Sequence, residues 1–275
     1  MSLFSLWNVR VIIASNNGYV LQDVYQATTP SDTSAATDNN SSIDDDTKPS
    51  LTYQKLTSYN TTGYFFTVEN PVNHFHITYP MDKAARKCHG LSPTNLQAKA
   101  NKCLLAMNAG PFSFDAPTCL GHIVSDNEII LNQNTTNMDF GLLSNKTWIM
   151  GSLTSDDVEE MDIQSLVTGF GWLIKEGEPQ VTEEGGLIAP RTMIGTDKDG
   201  RLLMFEVDGV EKENIGLTMK QAMDWFLSLG AYNAINLDGG GSSATYYDGK
   251  IIDYPTCDDT GKKCVRPVAT TVCVK

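Results

Sequence analysis

The chain has no stretch of roughly 18 or more apolar residues, so no segment reads as a bilayer-spanning helix. Positive charge is scarce: 20 Lys and Arg stand against 33 Asp and Glu, a net charge of −13 at pH 7. Nucleic-acid binding rests on neutralising phosphates with Lys and Arg, so that partner class is excluded. An anionic membrane surface is excluded on the same ground. No two cysteines have C-x-x-C spacing, which removes zinc-ribbon and thioredoxin-type sites. No glycine run ends in G-K-[ST], so there is no P-loop. Histidine is rare as well, with His74, His76, His89 and His122 only. His74 and His76 fall on one face of a strand pattern, but no third ligand accompanies them; they read as a solvated face, and no metal or other cofactor is expected.

What is present points to an oxidising compartment. The six cysteines are an even count in an acidic chain, which fits three disulfides. N-x-[ST] sequons occur at Asn39, Asn40, Asn60, Asn134 and Asn145, all in polar, loop-like stretches. Together they predict a secretory-pathway protein: Golgi-lumenal, lysosomal or secreted. The apolar start from Met1 to Ala14 is interrupted by Arg10 and matches a secretory signal poorly, so a signal is expected to be missing or already removed.

Periodicity predicts one strand-rich domain over 1–275, with no internal repeat and no linker. Val9 to Leu21 alternates around Ser15-Asn16-Asn17-Gly18 and reads as a hairpin. Residues 28–50 are almost wholly Thr, Ser, Asp and Asn and read as a mobile loop, because they bury too little apolar surface to offset ordering entropy. Strand patterns follow at 51–56, 64–68, 75–79, 103–107, 121–124, 128–131, 169–174, 191–195, 202–207, 234–237, 244–247 and 267–274. Two main helices are expected. One covers 93–102 with Ser92 as N-cap and Pro93 at the first position. The other covers 218–229, with a Thr218/Gln221 capping box and Gly230 just past its end. The fold class is therefore α+β: a single domain of mixed sheets packed against two main helices.

Site chemistry concentrates in four places. The sharpest is Asp238-Gly239-Gly240-Gly241-Ser242-Ser243, directly after an apolar strand. Three glycines are costly in entropy but expose unhindered N–H groups that form an anion nest. Asp238 stands at a strand's C-terminal end, and the two serines offer hydroxyls to phosphate or sugar. A nucleophile elbow would need a helix after Ser242, whereas Ala244 to Lys250 reads as strand and turn, so a serine hydrolase is rejected. Second, Asn108 follows a buried strand in Met107-Asn108-Ala109-Gly110-Pro111, where an amide suits a sugar hydroxyl or phosphate oxygen. Third, Arg191 opens a strand after Pro190, and its planar fork suits phosphate. The strand after it ends at Asp208, a second carboxylate at a strand end. Fourth, Arg266 precedes the last strand and offers a second cation.

Taken together these motifs resemble the phosphodiester glycosidase family from about Cys88 to the end. The resemblance rests on Cys119-Leu-Gly-His-Ile-Val-Ser-Asp126, Val167-Thr-Gly-Phe-Gly-Trp-Leu-Ile174, Arg191-Thr-Met-Ile-Gly195, Ala234-Ile-Asn-Leu-Asp-Gly-Gly-Gly-Ser242 and Val272-Cys273-Val274. It implies hydrolysis of the bond between the anomeric carbon of GlcNAc and a phosphodiester, exposing a phosphomonoester such as mannose 6-phosphate on N-glycans. The substrate would be a phosphorylated glycan or glycoprotein. Phosphate is a stable leaving group, so less general-acid help is needed than in ordinary glycoside hydrolysis, and one carboxylate suffices. Asp238 is the first choice for it and Asp208 the second. Arg191, Arg266 and the Gly239, Gly240 and Gly241 amides would clamp phosphate. Asn108, Ser242 and Ser243 would orient oxygens, with Gly110 and Thr192 in the same binding set. The resemblance also implies the disulfides Cys88–Cys119, Cys103–Cys273 and Cys257–Cys264, out of the many pairings six cysteines allow. Two departures stand out. The family's Asn-Gly-Gly-Phe-Phe reads Asn108-Ala109-Gly110-Pro111-Phe112 here, which changes the loop beside Asn108. Animal members continue into a cysteine-rich, membrane-spanning extension, so this version reads as soluble or shortened. Two other functions fit the same residues: a non-catalytic phosphosugar-binding module, and a hydrolase of cell-wall or exopolysaccharide phosphodiesters.

Overall fold

In the computed structural model, residues 10–15, 18–23, 48–82 and 87–275 are described. Strands come in runs whose side chains alternate between two hydrophobic clusters, and that alternation builds the architecture. In Thr61–Val68, Phe66 and Val68 point into a central core while Phe65 joins a second cluster on the opposite face. Leu202–Val207 does the same, with Leu202 and Met204 inward and Leu203 and Phe205 outward. Both faces are therefore covered, and such strands are buried along their whole length.

Three sheets share the central core. The first has seven strands in the order Glu128–Asn132, His122–Ser125, Ile163–Thr168, Asp139–Leu143, Trp148–Gly151, Arg10–Ser15, Gly18–Asp23. It is mixed, since Arg10–Ser15 runs parallel to Trp148–Gly151. The second, also of seven strands, is antiparallel: Glu178–Pro179, Trp172–Lys175, Asn233–Asn236, Arg191–Thr196, Leu202–Val207, Thr61–Val68, Leu51–Ser58. The third has five strands: Lys250–Ile251, Thr245–Tyr247, Leu105–Asn108, Thr271–Val274, Phe75–Thr78. Phe66, Phe75, Leu105, Met107, Phe140, Trp148 and Val272 meet in the middle. Trp148 is fully buried and its indole N–H donates to the Gly200 carbonyl at 3.0 Å, so no polar group is stranded there.

Each sheet carries one helix on its outer face. Helix α1 (Thr94–Asn101) packs Ala98 against Ala106, Tyr246 and Cys273 of the third sheet. Helix α2 (Ser155–Glu160) places Val158 on Val124, Ile149 and Leu166 of the first. Helix α3 (Met219–Ser228) lays Ala222, Met223, Trp225 and Phe226 on Phe65, Met193, Leu203 and Phe205 of the second. The expected Thr218/Gln221 capping box is present, and Gly230 adopts a left-handed φ of +96°. Helix α1 differs from expectation: Pro93, not Ser92, is the N-cap, and Ser92–Pro93 pairs with Pro267–Val268 as extended chain. A residue before proline is driven out of the helical region, which is why Ser92 stays extended. Helix α2 was not expected; its start is written in Thr154 and Asp157, which form a capping box.

The hairpin of Arg10–Ser15 and Gly18–Asp23 pairs as expected. The loop 28–50 lies outside the described residues except for 48–50, as do the sequons at Asn39 and Asn40. The sequon residues Asn60, Asn134 and Asn145 are exposed. The expected strand at 267–274 is two strands, because Ala269 and Thr270 turn aside. There the Thr270 carbonyl accepts from the Ala109 N–H (3.0 Å) and its hydroxyl from the Gly110 N–H (2.9 Å). Disulfides link Cys88 to Cys119, Cys103 to Cys273 and Cys257 to Cys264, the pairing the resemblance implies. The Cys103–Cys273 bridge spans 170 residues, so it should restrict the unfolded chain most. Replacing both of its cysteines by Ser is expected to cost about 2–5 kcal/mol in urea unfolding; a loss below ~1 kcal/mol would show that the bridge adds little. Among the described residues, no helix is long and apolar enough to cross a membrane.

Candidate active site

Two neighbouring strands of the second sheet run antiparallel, so Arg191 at the start of Arg191–Thr196 lies beside the end of Asn233–Asn236. The Asp238 loop leaves from that end. A cleft of about 300 Å³ opens here, lined among others by Phe170, Arg191, Glu211, Asp238, Asp259 and Arg266. The triple-glycine bend and Arg191 therefore meet in one place, and Arg266 joins them.

The loop is held by backbone bonds and closely overlaid by charged side chains. The Asp238 N–H donates to the Ala109 carbonyl at 2.9 Å, and the Gly240 N–H to the Pro190 carbonyl at 3.0 Å. A Cβ on Gly240, whose φ is +56°, would sit 2.5 Å from a Glu211 carboxylate oxygen; one on Gly241 would sit 2.3 Å from the Arg266 guanidinium. Those side-chain tips can move aside, but a Cβ on Gly239 would sit 2.8 Å from the Pro190 carbonyl oxygen, and the left-handed φ of Gly240 favours glycine there. Because Asp238 is secured through the backbone of residue 109, the Ala109 and Pro111 departures leave this hold intact.

Asp238 is one of three acids in the cleft, with Glu211 and Asp259. Burial pushes its carboxyl up to about 6, and the neighbouring Asp259 carboxylate adds to the rise; the Ser242 hydroxyl, Arg266 and the Gly239 amide pull it partway back. A carboxyl so placed changes protonation near neutrality, which is where a general base or nucleophile is useful.

The cations are differently committed. Arg191 is 8% exposed; its Nε–H donates to the Leu217 carbonyl at 2.9 Å and its Nη2 to the Leu187 carbonyl. Burial lowers its pKa and Glu211 partly offsets this, but a guanidinium stays charged throughout the physiological range. Two of its three nitrogens are thus committed to backbone carbonyls, which leaves only part of the fork for any anion. Arg266 donates from Nη2 to both Asp259 carboxylate oxygens (3.0 Å each), from Nε to the Cys257 carbonyl (2.8 Å) and from Nη1 to Ser242 Oγ (3.3 Å). The Gly241 N–H, expected to cradle substrate phosphate, donates to the Asp259 carboxylate at 2.7 Å. An internal carboxylate thus sits where an anion was anticipated, on the same guanidinium and the same amide. Asp259 itself holds a left-handed φ of +61°. It belongs to the loop closed by Cys257–Cys264.

Several expected substrate contacts turn out to be braces. Asn108 is wholly buried: its Nδ2 donates to the Asp238 carbonyl at 2.6 Å, and its Oδ1 accepts from the Ala244 N–H at 3.0 Å and lies 3.2 Å from Thr192 Oγ1. Thr192 Oγ1 is in turn 3.1 Å from Ser243 Oγ. Asn108, Thr192 and Ser243 therefore fix the loop's position from behind and do not line the cleft. Gly110 is equally structural, since a Cβ there would lie 2.3 Å from the Thr168 carbonyl oxygen. Ser242 is buried but reaches both Asp238 and Arg266.

Asp208, the second choice for the catalytic carboxylate, is not brought to the cleft. Its oxygens accept from Tyr64 Oη at 2.9 Å and the Tyr254 N–H at 2.7 Å, and it clusters with Glu206 and Asp253. His74 and His76 also part company: His74 Nδ1 meets the Lys275 carbonyl at 2.6 Å, while His76 pairs with Asp126 at 2.7 Å. His122 lies buried against Asp139 at 3.1 Å, which in turn accepts from Thr168 Oγ1 at 2.5 Å. The residues that sequence reasoning did not pick out are Asp259, Glu211 and Phe170. The one available signal for Asp259 was its place in the short Cys257–Cys264 loop leading to Arg266. Phe170 lay inside an expected strand; instead Gly169, Phe170 and Gly171 bulge over Asn236 and deliver the ring to the cleft.

Known proteins resemble this chain in sequence and fold. A family model described as phosphodiester glycosidase matches residues 101–275. The chain belongs to the phosphodiester glycosidase family. It is 31% identical over 234 residues to the human N-acetylglucosamine-1-phosphodiester alpha-N-acetylglucosaminidase, an alignment covering 77% of this chain and 45% of that protein. The chain thus spans about half the length of its animal relatives. A solved structure of the zebrafish enzyme's catalytic domain, auto-inhibited by its pro-peptide, superposes with a TM-score of 0.70 at 28% identity over 82% of each chain. A hypothetical protein from Synechocystis shares the fold, with a TM-score of 0.57 at 13% identity over 82% of this chain and 62% of that one.

Proposed function

We propose that this phosphodiester glycosidase hydrolyses the bond between an anomeric carbon and phosphate in a sugar 1-phosphodiester, with N-acetylglucosamine as the sugar and a phosphorylated glycan as the substrate. The observation that carries it is the meeting of Asp238 with Arg191 and Arg266 in one cleft. The animal relatives named for α-N-acetylglucosaminidase activity support the choice of sugar. The secretory pathway is the compartment that three disulfides and exposed sequon residues favour.

In this reading the guanidiniums of Arg191 and Arg266 take the phosphate, stabilising the negative charge that accumulates as the anomeric C–O bond breaks. The ionised Asp238 carboxylate faces the anomeric carbon, either directly or through one water, and Ser242 holds it in place. The leaving phosphate departs as a stable anion, so no strong acid is required opposite Asp238. Asn108, Thr192 and Ser243 act as positioning residues, fixing the loop that carries Asp238.

The test is phosphorus NMR on a GlcNAc-α-1-phospho-6-mannose diester incubated with the protein. Conversion of the diester signal to a monoester, with one GlcNAc released per monoester, is expected. Stoichiometric binding without conversion would support the binding module instead. Conversion only of polysaccharide phosphodiesters would move the substrate class.

A further inference from the structure

A second group of acids lies behind the cleft wall and has no part in the chemistry above. Glu206 is on strand Leu202–Val207, opposite Thr192 of the neighbouring strand; Asp208 follows two residues later, and Asp253 comes after the hairpin of Thr245–Tyr247 and Lys250–Ile251. One carboxylate oxygen from each lies within 4.8 Å of the other two. Glu206 is 1% exposed and Asp253 2%. Glu206 Oε2 and Asp253 Oδ2 are buried without any hydrogen-bond partner. The other contacts are accounted for: Asp253 Oδ1 accepts from the Thr245 N–H at 2.9 Å, and Asp208 from Tyr64 and Tyr254. Among the described residues, no ion pair reaches any of the three. Lys263 comes near but gives its Nζ to the Asp253 carbonyl at 2.9 Å.

Three carboxyl groups at this spacing cannot all be ionised in the interior without a counter-charge. Glu206 and Asp253 each keep one orphaned carboxylate oxygen, and the three carboxyl groups approach one another closely, so a cation among them would supply the missing charge. We propose that Glu206, Asp208 and Asp253 form a calcium site. Mutual separations up to 4.8 Å are what a Ca²⁺ with oxygens at roughly 2.3–2.6 Å produces across its coordination sphere. The donor set is all hard carboxylate, with no imidazole or thiolate, which favours Ca²⁺ over zinc or copper. Irregular buried ligands suit its loose geometry better than the strict octahedron and retained waters of Mg²⁺. The ion would clip the Leu202–Asp208 segment to the 245–253 hairpin. Thr192, opposite Glu206, touches Asn108 and Ser243, so the clip would stiffen the wall that holds the Asp238 loop.

The test is calorimetric titration of CaCl₂ into the EDTA-dialysed full chain, with thermal unfolding in parallel. Wild-type protein is expected to bind one Ca²⁺ with carboxylate dependence and to unfold at a higher temperature in its presence. Glu206→Gln and Asp253→Asn should each weaken binding at least about 10-fold. Without Ca²⁺ both variants should unfold no lower than wild type, since each removes a crowded negative charge; this shows that they fold. An unfolding midpoint unmoved by millimolar CaCl₂ would mean that the acids share protons instead. Undiminished binding in both variants would place the ion on other acids. Either result overturns the site.

Discussion

Asp238→Asn is expected to reduce kcat on a GlcNAc-1-phosphodiester by about 10²–10⁴-fold, the range typical of a positioned acid–base group, while leaving the fold intact. The amide keeps the size of the side chain and its bond to Ser242, so Arg191, Arg266 and the glycine bend stay in place. Stability should move in the opposite direction to activity. The folded-state carboxyl is raised to about 6 from an ordinary 3.8, chiefly by burial. A raised carboxyl means the folded protein binds the proton more tightly than the unfolded chain does. Its charge therefore costs stability as pH rises from about 4 to 6, and the cost persists at pH 7. Removing the charge should raise unfolding stability at pH 7 by on the order of 3 kcal/mol and have little effect near pH 4. The wild-type kcat/KM should rise with pH through about 6 as Asp238 ionises. Wild-type rates in the Asn variant, or a flat acid limb, would remove Asp238 from the chemistry.

Arg266→Ala carries the second large effect, a loss of about 10²–10³-fold in kcat/KM. It removes the cation proposed to bind phosphate and also leaves Asp259 without its guanidinium partner beside Asp238. Arg266 lowers the Asp238 pKa and Asp259 raises it, so the Arg266 variant should shift the acid limb of the profile to higher pH. Asp259→Asn should shift it to lower pH and free both Arg266 and the Gly241 amide for phosphate, lowering KM. Two variants at one contact thus move the same limb in opposite directions. Limbs that do not move would show that the Arg266–Asp259 pair is electrostatically separate from Asp238, and limbs that move together would contradict the opposite signs assigned to the two charges.

The parts of the molecule legible in its sequence are those with local signatures. Helix α3 announces itself by Thr218, Gln221 and Gly230, because capping is a contact among residues a few positions apart. Asp238 and Arg191 stood out because each opens or closes an apolar strand with unusual neighbours. Strands Asp139–Leu143, Trp148–Gly151 and Ile163–Thr168 went unread for a physical reason. They are buried almost throughout, so the alternation that marks a half-exposed strand is absent. Helix α2 is only six residues long, too short for an apolar period to show. The roles of Asn108 and Thr192 depend on partners 130 and 84 residues away, which no local pattern records. Asp259 and Asp238 come together only because the Cys257–Cys264 loop folds back over the glycine bend. Asp208 misled because a carboxylate at a strand end looks alike whether it faces a cleft or a buried acid cluster.

The central claim is that the cleft between Arg191, Arg266 and Asp238 holds the scissile bond. A crystal structure of the Asp238→Asn protein soaked with a GlcNAc-α-1-phosphodiester tests it most directly. The account predicts phosphate on Arg191 and Arg266 and the anomeric carbon within roughly 3–3.5 Å of the residue 238 side chain or its bound water. A diester seated elsewhere, with this cleft left empty, would contradict it.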